Sequence, residues 1–141
     1  MYTDFKIKEL NSWADIELTC GKQKIEFSAS YVYPDSFAEL ANALVDLKTK
    51  KKTSAIVKFD LEMDGWLHFI FTTYPEELIR LSVYHNIVWD NYEELFEDQP
   101  LPTPIFESIL PDIHYFSRKV TIEFKKYGKE GFNDWEYGFF R

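Results

Sequence analysis

The sequence predicts an α+β fold: an antiparallel sheet made of two meanders, with a central helix and a long C-terminal helix packed on one face. Three observations predict it. Residues 5–31 and 57–84 carry period-two alternation of apolar and polar side chains, the mark of half-buried strands. An apolar stripe at helical spacing in residues 37–47 separates these two runs. A second helical stripe, in residues 106–127, follows them. Strands in runs divided by single helices are the pattern of α+β folds with antiparallel sheets.

The elements follow in chain order. Phe5 and Ile7 alternate with Lys6 and Lys8; Ile16, Leu18 and Cys20 alternate with Asp15, Glu17 and Thr19. After a turn at Gly21-Lys22, Ile25, Phe27, Ala29 and Tyr31 keep the same period, so the chain opens with two or three antiparallel strands. Ser36 and Glu39 stand at capping-box spacing before Phe37, Leu40, Ala41, Leu44, Val45 and Leu47. Lys48, Lys50, Lys51 and Lys52 suit a helix C-terminus and then a solvated loop. Val57, Phe59 and Leu61 begin a second meander, with Asp64-Gly65 as a hairpin signal. Residues 66–73 and 79–84 supply its next two strands around the turn Tyr74-Pro75-Glu76-Glu77. Residues 90–97 suit a short acidic helix, with Asp90 as cap and Glu93 three residues on. Thr103-Pro104 reads as the start of the long helix, whose stripe is Phe106, Ile109, Leu110, Ile113, Phe116, Val120, Phe124 and Tyr127. Pro111 must kink or restart it. The aromatic tail places Phe132, Trp135 and Tyr137 back against the body.

Composition bounds the function. A chain of 141 residues fits one domain, 1–141, with no internal repeat or dividing linker. Cys20 is the sole cysteine, which excludes an internal disulfide and a cysteine-rich zinc site. The first residues alternate charged and apolar side chains, unlike a signal peptide, and no apolar run reaches the length of a membrane span. A cytoplasmic location is the expectation. Of the formal net charge of −8, all but −1 resides in residues 81–117, which contain no Lys or Arg. The acids there are Asp90, Glu93, Glu94, Glu97, Asp98, Glu107 and Asp112. Nucleic acid and anionic membrane are disfavoured partners, because phosphates need a basic face. A basic protein is favoured.

The candidates for chemistry are weak. Asp60, Glu62, Asp64 and Gly65 stand as in the start of a calcium loop, but Phe71 occupies the closing position that needs a bidentate acid. The acids read instead as the solvated face of a hairpin, and no metal is expected. His68, His85 and His114 show no ligand spacing, and Cys20 has neither base nor cationic neighbour in view. The expectation is a chain that is no enzyme, with no cofactor and no catalytic residue. The strongest segment is acidic and aromatic: Trp89, Asp90, Tyr92, Glu93, Glu94, Glu97 and Asp98. Trp and Tyr anchor interfaces and surrounding acids steer a basic partner. Spacing alone also fits Trp89, Tyr92 and Phe96 as the buried side of a short helix. The competing expectation is a small-ligand binder or enzyme with an aromatic pocket of Trp66, Trp89 and Trp135.

In layout the chain resembles the small acidic immunity proteins of bacterial polymorphic-toxin systems. The stretches that carry the resemblance are PDSFAELANALVDL, KFDLEMDGWLHFIF and KKYGKEGFNDWEYGFF. It implies an inhibitor that neutralises a cognate toxin, often a basic nuclease, by blocking its active site.

Overall fold

The structure is a computed structural model, and it describes residues 2–10, 13–30, 36–73, 78–86 and 103–127. Strands β1 (Thr3–Leu10), β2 (Ala14–Cys20) and β3 (Gln23–Ala29) precede helix α1 (Ser36–Lys48). Strands β4 (Ser54–Asp60), β5 (Trp66–Thr73), β6 (Ile79–His85) and β7 (Phe106–Leu110) precede helix α2 (Ile113–Tyr127). The strands form two antiparallel sheets, β1-β2-β3 and β4-β5-β6-β7. The fold is α+β, with both helices packed against strands: α1 on β4, α2 on β1, and each on the other.

The first meander follows the period-two pattern closely. Phe5, Ile7, Ile16, Leu18 and Cys20 are buried, while Lys6, Lys8, Glu17 and Thr19 face outward. Its last strand crosses the second sheet. Gln23 meets β7, Phe27 lies on Phe59 and Phe69 of β4 and β5, and Ser30 bridges to Asp60 at the end of β4. Phenylalanines join the layers. Phe37 of α1 packs edge-on to Phe59 at 5.9 Å and to Phe124 of α2 at 5.4 Å. Phe5 of β1 meets Phe116 and Phe124 at 6.5 and 6.2 Å. Each such pair adds about 0.5–1.5 kcal/mol beyond the area it buries. Within α1, Phe37, Leu40, Ala41, Leu44 and Leu47 form the buried stripe that their spacing requires.

Three local features differ from the expectation. Residues 106–110 form β7, paired to β6 from Ile79↔Leu110 to Val83↔Phe106, and not the first turns of the long helix. Phe106 and Leu110 are four apart, so they share a face in either structure, and spacing could not separate the two. Pro111 decides against a continuous helix, because it lacks an N–H and disfavours helical backbone at Leu110. The helix restarts with Asp112 as its cap, whose Oδ1 accepts the N–H groups of His114 at 2.9 Å and Tyr115 at 3.2 Å. Phe116, Val120 and Phe124 remain its buried stripe. Secondly, Ser36 is not a cap but the first helical residue, and its hydroxyl donates to the Lys58 carbonyl of β4. Thirdly, β4 and β5 are joined by five residues, 61–65, and not by a two-residue turn. The acidic helix expected over 90–97 and the packing expected of Phe132, Trp135 and Tyr137 lie outside the described residues.

Candidate functional site

The β4–β5 turn is the most unusual surface feature among the described residues. Leu61 N–H bonds to the Gly65 carbonyl at 2.8 Å, closing a loop that contains a single 3-10 turn, Glu62–Asp64. Glu62 has φ 56° and Gly65 has φ 90°. A left-handed backbone at a non-glycine residue costs about 1–2 kcal/mol, so contacts elsewhere must hold it. They come from the end of β6. His85 Nε2–H donates to the Asp64 carbonyl at 2.6 Å, which sets that ring's tautomer. Asn86 N–H bonds to the Trp66 carbonyl at 2.9 Å, and Asn86 Oδ1 accepts Trp66 N–H at 3.0 Å. Asn86 is itself left-handed, with φ 54°, a conformation that Asn tolerates better than most residues. Gly65 allows this contact: a Cβ there would stand 1.7 Å from Asn86 Oδ1.

This bracing presents a distinctive surface. Met63, at the tip, is 99% exposed, and Trp66, at the base, is 39% exposed with the Lys58 ammonium 5.7 Å from its ring. Asp60, Glu62 and Asp64 surround them, and no ion pair among the described residues engages any of the three. Beside the turn runs an open groove of about 620 Å³, with Trp13, Phe27 and Leu61 as apolar lining and Glu26, Glu62 and Asp64 at its rim. Glu26 differs from the other two acids. A hydrogen bond from Lys24, and then the Lys8 charge, hold its carboxyl below the ordinary glutamate range.

The acids of the turn are not gathered for a metal. Asp60 Oδ1 accepts the Glu62 N–H at 2.8 Å, and among the described residues no group of three or more His, Cys, Asp or Glu side chains converges on one point. Cys20 is buried, and desolvation, opposed by a hydrogen bond with Ser108, pushes its thiol up to about 11. Such a thiol is protonated at neutral pH and is a poor nucleophile. His68 is buried on β5, where desolvation and then the Lys58 charge depress its pKa. His114 is exposed in the first turn of α2.

The residues singled out in the acidic-aromatic segment, Trp89, Asp90, Tyr92, Glu93, Glu94, Glu97 and Asp98, lie outside the described residues. So do Trp89 and Trp135 of the alternative aromatic pocket, of which only Trp66 is placed. Two acids of the cation-free stretch are placed, and each has a structural task. Glu107 accepts a hydrogen bond from the Ser82 hydroxyl at 3.0 Å, and Asp112 caps α2. Asn86, which braces the turn, is the last described residue before the segment. Sequence reasoning treated the Asp60–Gly65 acids as a solvated hairpin face and missed the bracing. The available signal was Asn86 at a strand end, a residue suited to left-handed backbone. No protein-family model, curated protein or solved structure matches this chain.

Proposed function

We propose that this chain is a non-enzymatic protein-binding module, most concretely an immunity-type inhibitor that binds a basic toxin in the bacterial cytoplasm. The observation that carries the reading is the braced turn: Met63 stands exposed among Asp60, Glu62 and Asp64, on backbone that must be held in an uncommon conformation. Strain is retained where a surface has work to do. An apolar tip ringed by acids that no ion pair among the described residues engages suits a partner with an apolar pocket in a basic rim. Asn86 leads from this turn into Trp89–Asp98, so chain order supports a single binding region made of both. The rise of charge to −7 within residues 81–117 supports it too, since clustered like charges oppose folding slightly and gain a rationale from a basic partner.

The test uses the protein encoded beside this one as partner, with association and dissociation rates measured against salt. Neutralising Glu93→Gln/Glu94→Gln/Glu97→Gln, or Glu62→Gln/Asp64→Asn, slows association by about tenfold at low salt and flattens its salt dependence. Met63→Ala chiefly speeds dissociation, by about ten- to a hundredfold, as loss of a buried Met side chain of about 1.5–3 kcal/mol requires. A neutralised triple variant that associates as fast as wild type at low salt removes the acidic segment from the interface.

A further inference from the structure

Methionine is among the residues most often fully buried in folded proteins. Met63 is 99% exposed, more than any other large hydrophobic residue among those described. Its position does not depend on its own side chain. The turn is closed by the main chain, from Leu61 N–H to the Gly65 carbonyl at 2.8 Å and from Gly65 N–H to the Glu62 carbonyl at 3.0 Å. It is tied to β6 through His85 on the Asp64 carbonyl and Asn86 on the Trp66 N–H. None of these bonds uses the Met63 thioether, so the sulfur stands in solvent while the backbone beneath it is held.

A thioether is nucleophilic without losing a proton, so its reactivity needs neither a base nor a cationic neighbour. With hydrogen peroxide, the sulfur lone pair attacks one oxygen, the O–O bond breaks and an S–O bond forms. The second oxygen leaves as water with both hydrogens; sulfur is oxidised by two electrons and peroxide is reduced by the same two. The product is a polar side chain in place of a flexible apolar one, and methionine sulfoxide reductases reverse the change. The sulfur of Cys20 is shielded: the residue is 1% exposed, and burial keeps its thiol protonated at neutral pH. Met1, the other methionine, lies outside the described residues.

We propose that Met63 is an oxidation switch: a peroxide converts its thioether to the sulfoxide, the tip of the turn becomes polar, and its hold on a partner's apolar pocket weakens. The switch rests on Met63 being the apolar anchor of the interface proposed above. A sulfoxide oxygen is an acceptor, and an apolar pocket offers it no donor, so burying it forfeits the hydrogen bonds it makes to water. The neighbouring acids do not replace them, because ionised Asp60, Glu62 and Asp64 accept and cannot donate. The fold does not share this cost, since a side chain so exposed contributes no buried contact to it.

The full-length protein is treated with hydrogen peroxide and followed by peptide mass spectrometry. Met63 gains oxygen at a rate within about threefold of that of N-acetyl-methionine amide, as full exposure requires. The oxidised protein keeps its midpoint in urea and elutes earlier from a hydrophobic-interaction column. Its binding to the protein encoded beside this one weakens at least about tenfold, chiefly through faster dissociation, and methionine sulfoxide reductase restores it. Met63→Leu keeps the apolar volume without the sulfur, so it binds as wild type does and continues to bind after peroxide. That variant retains Met1, Cys20 and all four tryptophans, so a loss of binding that persists in it overturns the switch. Oxidation of Met63 more than about tenfold slower than that of the free amide overturns it too. Untreated wild type that does not bind, or binds no better than Met63→Ala, counts against the interface and the switch together. Untreated wild type that binds better than Met63→Ala, and equally well once oxidised, counts against the switch alone.

Discussion

Gly65→Ala tests the bracing of the acidic turn. Two costs add. The backbone at Gly65, φ 90° and ψ −136°, is hostile to any residue with a Cβ and costs about 1–3 kcal/mol for alanine. The new Cβ would also fall 1.7 Å from Asn86 Oδ1, so the amide must swing away and give up its 3.0 Å bond to Trp66 N–H. An exposed hydrogen bond of this kind contributes about 1 kcal/mol. The expected loss is therefore about 2–4 kcal/mol. Asn86→Ala alone loses the same bond and places alanine at φ 54°, for about 1–3 kcal/mol. Because both substitutions break one contact, the double variant should be more stable than the sum of the singles by about 1 kcal/mol. Urea denaturation followed by circular dichroism measures all four proteins, with unchanged slope confirming that midpoints report stability. A Gly65→Ala loss under about 0.5 kcal/mol, or full additivity, would refute the idea that Asn86 packs on Gly65 to hold the turn.

Three further outcomes follow from the interior. Leu44 is wholly buried in the α1 stripe, so Leu44→Ala should cost about 2–5 kcal/mol in the same assay, and a loss under half a kilocalorie would contradict its placement. Glu123→Ala leaves the buried Ile7 N–H without its acceptor and should cost about 1–3 kcal/mol, whereas Glu123→Gln keeps an acceptor oxygen and should recover most of that. His68 should titrate below its ordinary value of about 6.5 in proton NMR. Since the unfolded chain takes up that proton first, the His68 contribution to stability is full above about pH 6.5 and is lost as pH falls through the unfolded value toward the folded one. Lys58→Gln should move the titration back upward, and an unchanged pKa would remove the Lys58 charge as a cause.

Much of the fold was legible in the sequence because binary pattern and period carry it. The strands of the first meander, the α1 stripe and the three strands around Phe59, Phe69 and Leu81 stand where alternation and helical spacing place them. The sites of interest were less legible. Phe106 and Leu110 have a spacing common to strand and helix, so only pairing with β6 and the proline at 111 settled their structure. Ser36 and Glu39 satisfy the capping spacing, yet the Ser36 hydroxyl is drawn to a carbonyl of β4, twenty-two residues away in sequence. The Asp60–Gly65 acids looked the same as any solvated turn until His85 and Asn86 were seen to hold them. Local rules govern which residues face inward, because side-chain direction repeats with the backbone. Which turn is braced, and which acids have structural partners, depend on residues far apart in sequence. For these features, only tertiary contact supplies the partner.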